Sequence, residues 1–248
     1  MNWVILGESV AGTSHITRNL PCEDAHSFCH FGRDKENLAV VVADGAGSAL
    51  HGQIGAALVC RELVQRLTDP ERTGFSREEF VSVILSIQQI IAVEAANLDV
   101  EPRQLACTSL VSIVFPEYAV FAQIGDGAIV VRSEETCSHE VVFWPEPEGY
   151  ANCTNFITDE DFEKHLHFER RDVPPVELAV FTDGIQRLAL DFSTKAAFSG
   201  FFLPFFVGLS QACEPTELSP HLVAFLTSER VNSRTDDDKT IVLAARRR

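Results

Sequence analysis

The chain has no excess of basic residues, no Cys-x-x-Cys pair, no internal repeat and no Pro/Gly/Ser-rich linker. Its formal net charge is −16, which argues against nucleic acid or an anionic membrane surface as partner. That charge suits a protein that holds divalent cations or meets basic surfaces, and it serves solubility equally well. The seven cysteines, at positions 22, 29, 60, 107, 137, 153 and 213, are odd in number, and Cys60 and Cys107 sit in apolar surroundings. Free thiols and a cytoplasmic location are expected. Met1 to Glu8 lacks the basic start and long apolar stretch of a signal peptide. The segment Ala196 to Leu209, rich in phenylalanine, is broken by Ser199, Gly200 and Pro204. It falls short of the roughly 20 residues a membrane-spanning helix needs, so it reads as a buried helix pair or a partner-docking patch, with no membrane involved. Nucleophile signatures are missing too: there is no Gly-x-Ser-x-Gly and no Walker A lysine motif, and the Cys-x5-Arg spacing of Cys60 and Arg66 falls in a helical pattern rather than a loop.

What is present is enough for one domain over residues 1–248, with 46% hydrophobic and 23% charged residues. Short strands are expected at 2–8, 26–31 and 38–43. A helix follows at 52–67, where Ile54, Ala57, Leu58, Val59, Leu63, Val64 and Leu67 repeat at three and four. Asp69-Pro70 closes it. Ser76 and Glu79 have the spacing of a capping box and open a second helix to about Asn97, with Phe80, Val83, Ile84, Ile87, Ile91 and Val93 facing inward. The period then changes to strands at 108–115, 118–124, 128–132 and 139–144, whose short turns imply antiparallel pairing. Residues 145–175 are mixed, a region of short strands or a flap. A strand at 177–182, helices at 184–191, 194–210 and 216–228, and a last strand at 239–245 complete an α+β chain of antiparallel sheets covered by helices. His165 and His167 share a strand face in this reading, on a solvent-exposed flap.

Three apolar runs end in Asp-Gly, at Asp44-Gly45, Asp126-Gly127 and Asp183-Gly184, and Asp236-Asp237-Asp238 precedes the run Thr240 to Leu243. Each alone reads as a strand-ending turn, and Asp126-Gly127 in particular suits a hairpin. Together, and with Glu23-Asp24, they suggest strand ends converging on one acidic pocket. Carboxylates that close repel unless a hard cation neutralises them, so Mg²⁺ or Mn²⁺ is inferred. Glycine after the aspartate allows a sharp turn, leaving a carbonyl as well as the carboxylate for the ion. Two ions about 3.5–4 Å apart suit phosphate-ester hydrolysis, which then needs no protein nucleophile.

The blocks Cys22-Glu23-Asp24-Ala25, Val41 to Gly47, Cys107-Thr108-Ser109-Leu110, Ile124 to Ala128, Val180 to Ile185 and Asp237 to Val242 resemble, in order and context, the PP2C-type metal-dependent protein phosphatases. The resemblance runs from about residue 8 to residue 245. Tyr150 to Phe156 is similar to the bacterial branch. The resemblance implies a β-sandwich of two antiparallel sheets flanked by helices, with the metal cluster at one end. It implies that Asp44 bridges two ions and that the Gly45 carbonyl binds one. Asp183 and Asp237 are ligands of the second ion, and Glu23 contributes directly or through water. Asp24 stands behind them, and Asp126 with Asp183 forms a third, weaker site. Asp236 and Asp238 remain open as alternatives to Asp237.

Two departures from the family pattern stand out. The arginine that grips the substrate phosphate falls at Asn19, with Arg18 one residue earlier and His15 nearby. Ala46 occupies the place of a histidine general acid that many eukaryotic members carry. The implied activity is hydrolysis of phosphoserine and phosphothreonine in proteins, the substrate being a phosphorylated protein with a cognate Ser/Thr kinase. A catalytically silent binding domain and a hydrolase of small phosphate esters are the competing functions. The Phe198–Phe206 cluster reads as core or as a partner surface, and Arg246–Arg248 as a solvated tail.

Overall fold

Strand Asn37–Asp44 alternates Leu38, Val40 and Val42 on one side with Ala39, Val41 and Ala43 on the other, and all six are fully buried. A strand hidden on both faces needs a layer above it and a layer below it. In the computed structural model, which describes residues 3–68, 75–136, 138–145 and 154–247, those layers are a second sheet and a pair of helices.

In chain order the elements are β1 (Trp3–Val10), α1 (Thr13–Arg18), β2 (Asp24–Phe31), β3 (Asn37–Asp44), α2 (Gly52–Leu67), α3 (Arg77–Asn97), β4 (Ser109–Val114), β5 (Ala119–Ile124), β6 (Ala128–Arg132) and β7 (Glu140–Val141). There follow α4 (Phe162–His165), β8 (His167–Arg171), β9 (Glu177–Phe181), α5 (Asp183–Ala189), β10 (Leu190–Asp191), β11 (Ala196–Ala197), α6 (Ser199–Gln211), α7 (Ser219–Leu226), α8 (Glu229–Asn232) and β12 (Lys239–Arg246). One sheet runs β1-β12-β9-β6-β7 and the other β2-β3-β4-β5-β8, antiparallel throughout. The expected α+β sandwich of two antiparallel sheets flanked by helices is what forms.

Three apolar layers hold it. Leu38, Val40, Val42, Phe121, Ile129, Val180 and Val242 fill the space between the sheets. Leu63, Ile84, Ile87 and Ile91 of α2 and α3 cover the β3 sheet. Phe202, Phe206 and Leu226 of α6 and α7 cover the β12 sheet. Helix α2 keeps the expected bounds, and α3 opens with the capping box, Glu79 N–H donating to Ser76 Oγ at 3.2 Å and Ser76 N–H to Glu79 Oε2 at 2.8 Å. Helix α3 is long and apolar enough to cross a membrane, yet its Phe80-Ile84-Ile87-Ile91 stripe is spent on the core.

Several expectations are corrected. Ala57 faces solvent, and Val93 is 62% exposed, because two residues past Ile91 is about 200° around the helix. The expected run of four neighbouring strands is divided: β4 and β5 pair in one sheet, while β6 and β7 pair in the other. Gly125-Asp126-Gly127 is therefore a crossing between sheets rather than a hairpin, and both glycines take positive φ, +90° and +101°, to make it. The strand expected at 139–144 shortens to Glu140–Val141. His165 ends α4 while His167 opens β8, so the two share no strand face. The β10–β11 pair interrupts the helices expected at 184–191 and 194–210, and α6 starts at Ser199. Phe201, Phe202 and Phe206 are buried, whereas Phe198 is exposed. Asp69-Pro70, Cys137, Tyr150 to Cys153 and Arg248 lie outside the described residues.

Candidate active site

At one end of the sandwich β1, β3, β5 and β9 finish, and β2, β4, β6 and β12 begin. The antiparallel register thereby brings residues far apart in sequence to one rim. A cavity of about 200 Å³ opens there, lined by Asp44, Asp126, Asp183 and Asp237 together with Glu23, Gly45, Thr108 and His15. Of the acidic residues singled out in the sequence, Glu23, Asp44, Asp126, Asp183, Asp237 and Asp238 line this cavity, as does Gly45. Arg18 does not line it: the side chain is exposed on α1, and its Nε donates to the Ser14 carbonyl at 3.1 Å.

Each aspartate is held by a local device. Asp44 ends β3 opposite Asp24 of β2. Its N–H donates to Thr108 Oγ1 at 2.9 Å, and the Thr108 N–H donates back to the Asp44 carbonyl at 2.8 Å. Asp183 is the first residue of α5. A Cβ on the following Gly184 would stand 2.0 Å from the Asp238 carbonyl, so the glycine serves close approach of two backbones rather than a turn. Asp126 sits on the sheet crossing and accepts from the Thr154 hydroxyl at 3.2 Å.

Asp24 lies behind the cavity wall, its Oδ2 accepting from the Thr182 hydroxyl at 2.8 Å. The two open alternatives to Asp237 differ in surroundings. Asp236 is exposed and does not line the cavity. Asp238 is buried, and its two oxygens accept from the N–H groups of Gly12 and Glu23, both at 2.6 Å.

The electrostatics are those of carboxylates crowded out of water. Burial pushes the Asp183 carboxyl up to about 7, helped by the charges of Asp126 and Asp237. Burial raises Asp44 well above the ordinary carboxylate range, with Asp24, Asp183 and Asp126 adding to it. Asp126 and Glu23 are raised as well, burial being the first cause in both. Asp24 rises to about 8 through burial, against the pull of the Thr182 hydroxyl.

Among the described residues, no three His, Cys, Asp or Glu side chains make a ready-formed metal cage. The chemistry of the cavity nevertheless fits a divalent cation. Oδ1 of Asp183 is buried without a hydrogen-bond partner, a cost that a bound ion removes. The charges of Asp24, Asp183 and Asp126 also bear on Asp44, a repulsion that a cation between the carboxylates relieves. The donors are all oxygen, the set that hard ions such as Mg²⁺ and Mn²⁺ take.

Thr108, Thr154 and Thr182 are the site residues that sequence reasoning left without a role. Thr108 and Thr182 lie beside the acidic positions inside two of the quoted blocks, and that adjacency was the available signal. Thr154 gives no such signal.

Comparison with known proteins agrees with this arrangement. The profile of the family described as Protein phosphatase 2C matches residues 11–227. Serine/threonine-protein phosphatase 3 of Escherichia coli K12 is 38% identical over 251 positions, covering 98% of each chain. The crystal structure of a bacterial serine phosphatase superposes with a TM-score of 0.64 at 16% identity, over 98% of both chains. Serine/threonine phosphatase Stp1 from Staphylococcus aureus does so with a TM-score of 0.64 at 15% identity, over 99% of this chain and 95% of that one. With the acidic rim in place and these matches spanning almost its whole length, the chain belongs to the protein phosphatase 2C family, as a serine/threonine phosphatase of that type.

Proposed function

We propose that the chain hydrolyses phosphoserine and phosphothreonine monoesters on proteins in a reaction that depends on Mn²⁺ or Mg²⁺, with water attacking phosphorus directly. The observation that carries this reading is the convergence of Asp44, Asp126, Asp183 and Asp237 on one cavity, with Asp183 Oδ1 buried and unpartnered. Asp44, the carbonyl of Gly45, Asp183, Asp237 and Glu23 would hold the ions. Asp126 and Asp183 would hold a further one. Bound there, divalent cations supply an acidified water and offset the charge of the phosphoryl group.

The protein's own part is placement. Thr108 fixes the backbone at Asp44, and the short link from β9 into α5 fixes Asp183. Arg18 stands on α1 outside the cavity, near enough to Glu23 to act on its charge. From there it serves as an outer contact for the phosphate of an incoming phosphoprotein. Ala46 is buried and offers no proton, so protonation of the departing serine or threonine oxygen falls to other groups.

The substrate is a phosphoprotein made by a cognate Ser/Thr kinase, and nucleic acid is not a partner at this charge. A cytoplasmic location is supported by the described cysteines 22, 29, 60, 107 and 213, all free thiols. The test is phosphate release from matched phosphoserine, phosphothreonine and phosphotyrosine peptides with and without EDTA. Turnover of the first two, stopped by EDTA and restored by Mn²⁺, is expected. EDTA-resistant turnover, or preference for phosphotyrosine, defeats the reading.

A further inference from the structure

Asp238 is 3% exposed, and its carboxylate gathers three groups from two other segments. Oδ1 accepts from the Gly12 N–H at 2.6 Å; Oδ2 accepts from the Glu23 N–H at 2.6 Å and lies 2.9 Å from His15 Nδ1. Gly12 precedes α1 and His15 lies within it, while Glu23 belongs to the residues entering β2, so one side chain joins the head of β12 to both segments. The seam is tight on its other flank. Ser14 N–H donates to the Asp236 carbonyl at 2.9 Å, and a Cβ on Gly12 would stand 2.3 Å from that same oxygen. Lys239 Nζ donates to the Asp237 carbonyl at 3.1 Å, closing the segment from the far side.

A carboxylate that accepts two backbone N–H groups has its lone pairs committed to shaping the loop. From this geometry we infer that Asp238 is a positioning residue: it clamps the Glu23 backbone and the His15 ring so that both face the cavity in register with Asp237. The inference deepens the metal-dependent reading above and rests on it. It assigns the three adjacent aspartates different work, with Asp237 facing the ions, Asp238 ordering their surroundings and Asp236 supplying a backbone carbonyl. His15, held at Nδ1, keeps Nε2 on the Glu23 side, 4.0 Å from its Oε2.

The experiment compares the full chain with Asp238→Asn and Asp238→Ala, using Mn²⁺ calorimetry, steady-state kinetics on a phosphothreonine peptide, and amide hydrogen exchange in EDTA. Asparagine keeps the shape but turns an NH₂ toward one of the two backbone donors. Mn²⁺ affinity and kcat are expected to fall about 10–100-fold, with the number of ions unchanged, KM close to that of the unaltered chain, and alanine worse than asparagine. The amides of Gly12 and Glu23 are expected to exchange faster in both variants. Unaltered affinity and kcat in Asp238→Asn overturn the inference, and so does loss of one whole ion from the stoichiometry, which would make Asp238 a ligand. If the unaltered chain neither binds Mn²⁺ nor releases phosphate, the functional reading falls. Exchange at Gly12 and Glu23 still decides the clamp, and unchanged exchange overturns it. Should the alanine variant fail to fold, the asparagine variant carries every readout.

Discussion

The hydroxyl of Thr182, just past the end of β9, donates at 2.8 Å to Oδ2 of Asp24 at the start of β2, and so ties one sheet to the other directly behind the cavity. The Thr182 hydroxyl oxygen in turn accepts from the Thr240 N–H at 3.1 Å. Thr182→Val removes the donor and leaves a buried carboxyl facing a methyl group. A cost of about 1–3 kcal/mol is expected, read as a lower urea midpoint, with Thr182→Ser close to the unaltered chain. A valine variant as stable as the original contradicts this role.

The crowded carboxylates set a pH dependence. Asp183 titrates at about 7 in the folded, metal-free protein against 3.8 ordinarily. Between those values the folded chain therefore holds more protons than the unfolded one, and stability falls as pH rises through the window. Cation binding displaces those protons, so Mn²⁺ affinity increases from pH 5 to pH 8. Urea unfolding in EDTA at the two pH values checks the first trend. Calorimetry in buffers of different ionisation enthalpy checks proton release, and its absence contradicts the assignment of Asp183 to the ion.

The opposite end of the sandwich supplies a control. Glu177 accepts from Arg132 Nε at 2.8 Å and Nη2 at 2.5 Å, and its Oε2 lies 2.9 Å from His139 Nε2. Burial alone would raise its carboxyl, but Arg132 and His139 outweigh burial and bring it from 4.5 to about 2. The contribution is whole above pH 4.5 and is lost as pH falls through 2. It amounts to no more than about 3 kcal/mol, less after solvent screening of this partly exposed pair. Glu177→Gln is expected to lower the thermal midpoint at pH 7 while leaving kcat and Mn²⁺ affinity alone. A changed kcat would mean that the two ends of the sandwich are coupled.

How much of this was legible in the sequence divides along local and non-local lines. The stripe of α2, the capping box of Ser76 and Glu79, and the apolar run of β3 are local patterns, and each formed where its spacing placed it. The destination of Gly125-Asp126-Gly127 was not local. A hairpin and a crossing between sheets have the same turn residues, and only the pairing of β6 with β9 decides between them. The acidic set was legible because Asp-Gly recurred after apolar runs. The different surroundings of Asp236, Asp237 and Asp238 were not, because they depend on Gly12 and Glu23, more than 200 residues away. Arg18 was drawn toward the cavity by resemblance, while the turn of α1 carries it to the surface and puts His15 in the wall.

The central claim is that Asp44 and its neighbours hold the cations on which phosphate release depends. The direct measurement is Mn²⁺ stoichiometry and phosphothreonine-peptide turnover for the unaltered chain and for Asp44→Asn, side by side. The account predicts at least two ions and EDTA-sensitive turnover in the first, with fewer ions and turnover reduced by at least about a hundredfold, some 2.7 kcal/mol in the barrier, in the second. An Asp44→Asn variant that turns over at the original rate, or an unaltered chain equally active without metal, would contradict it.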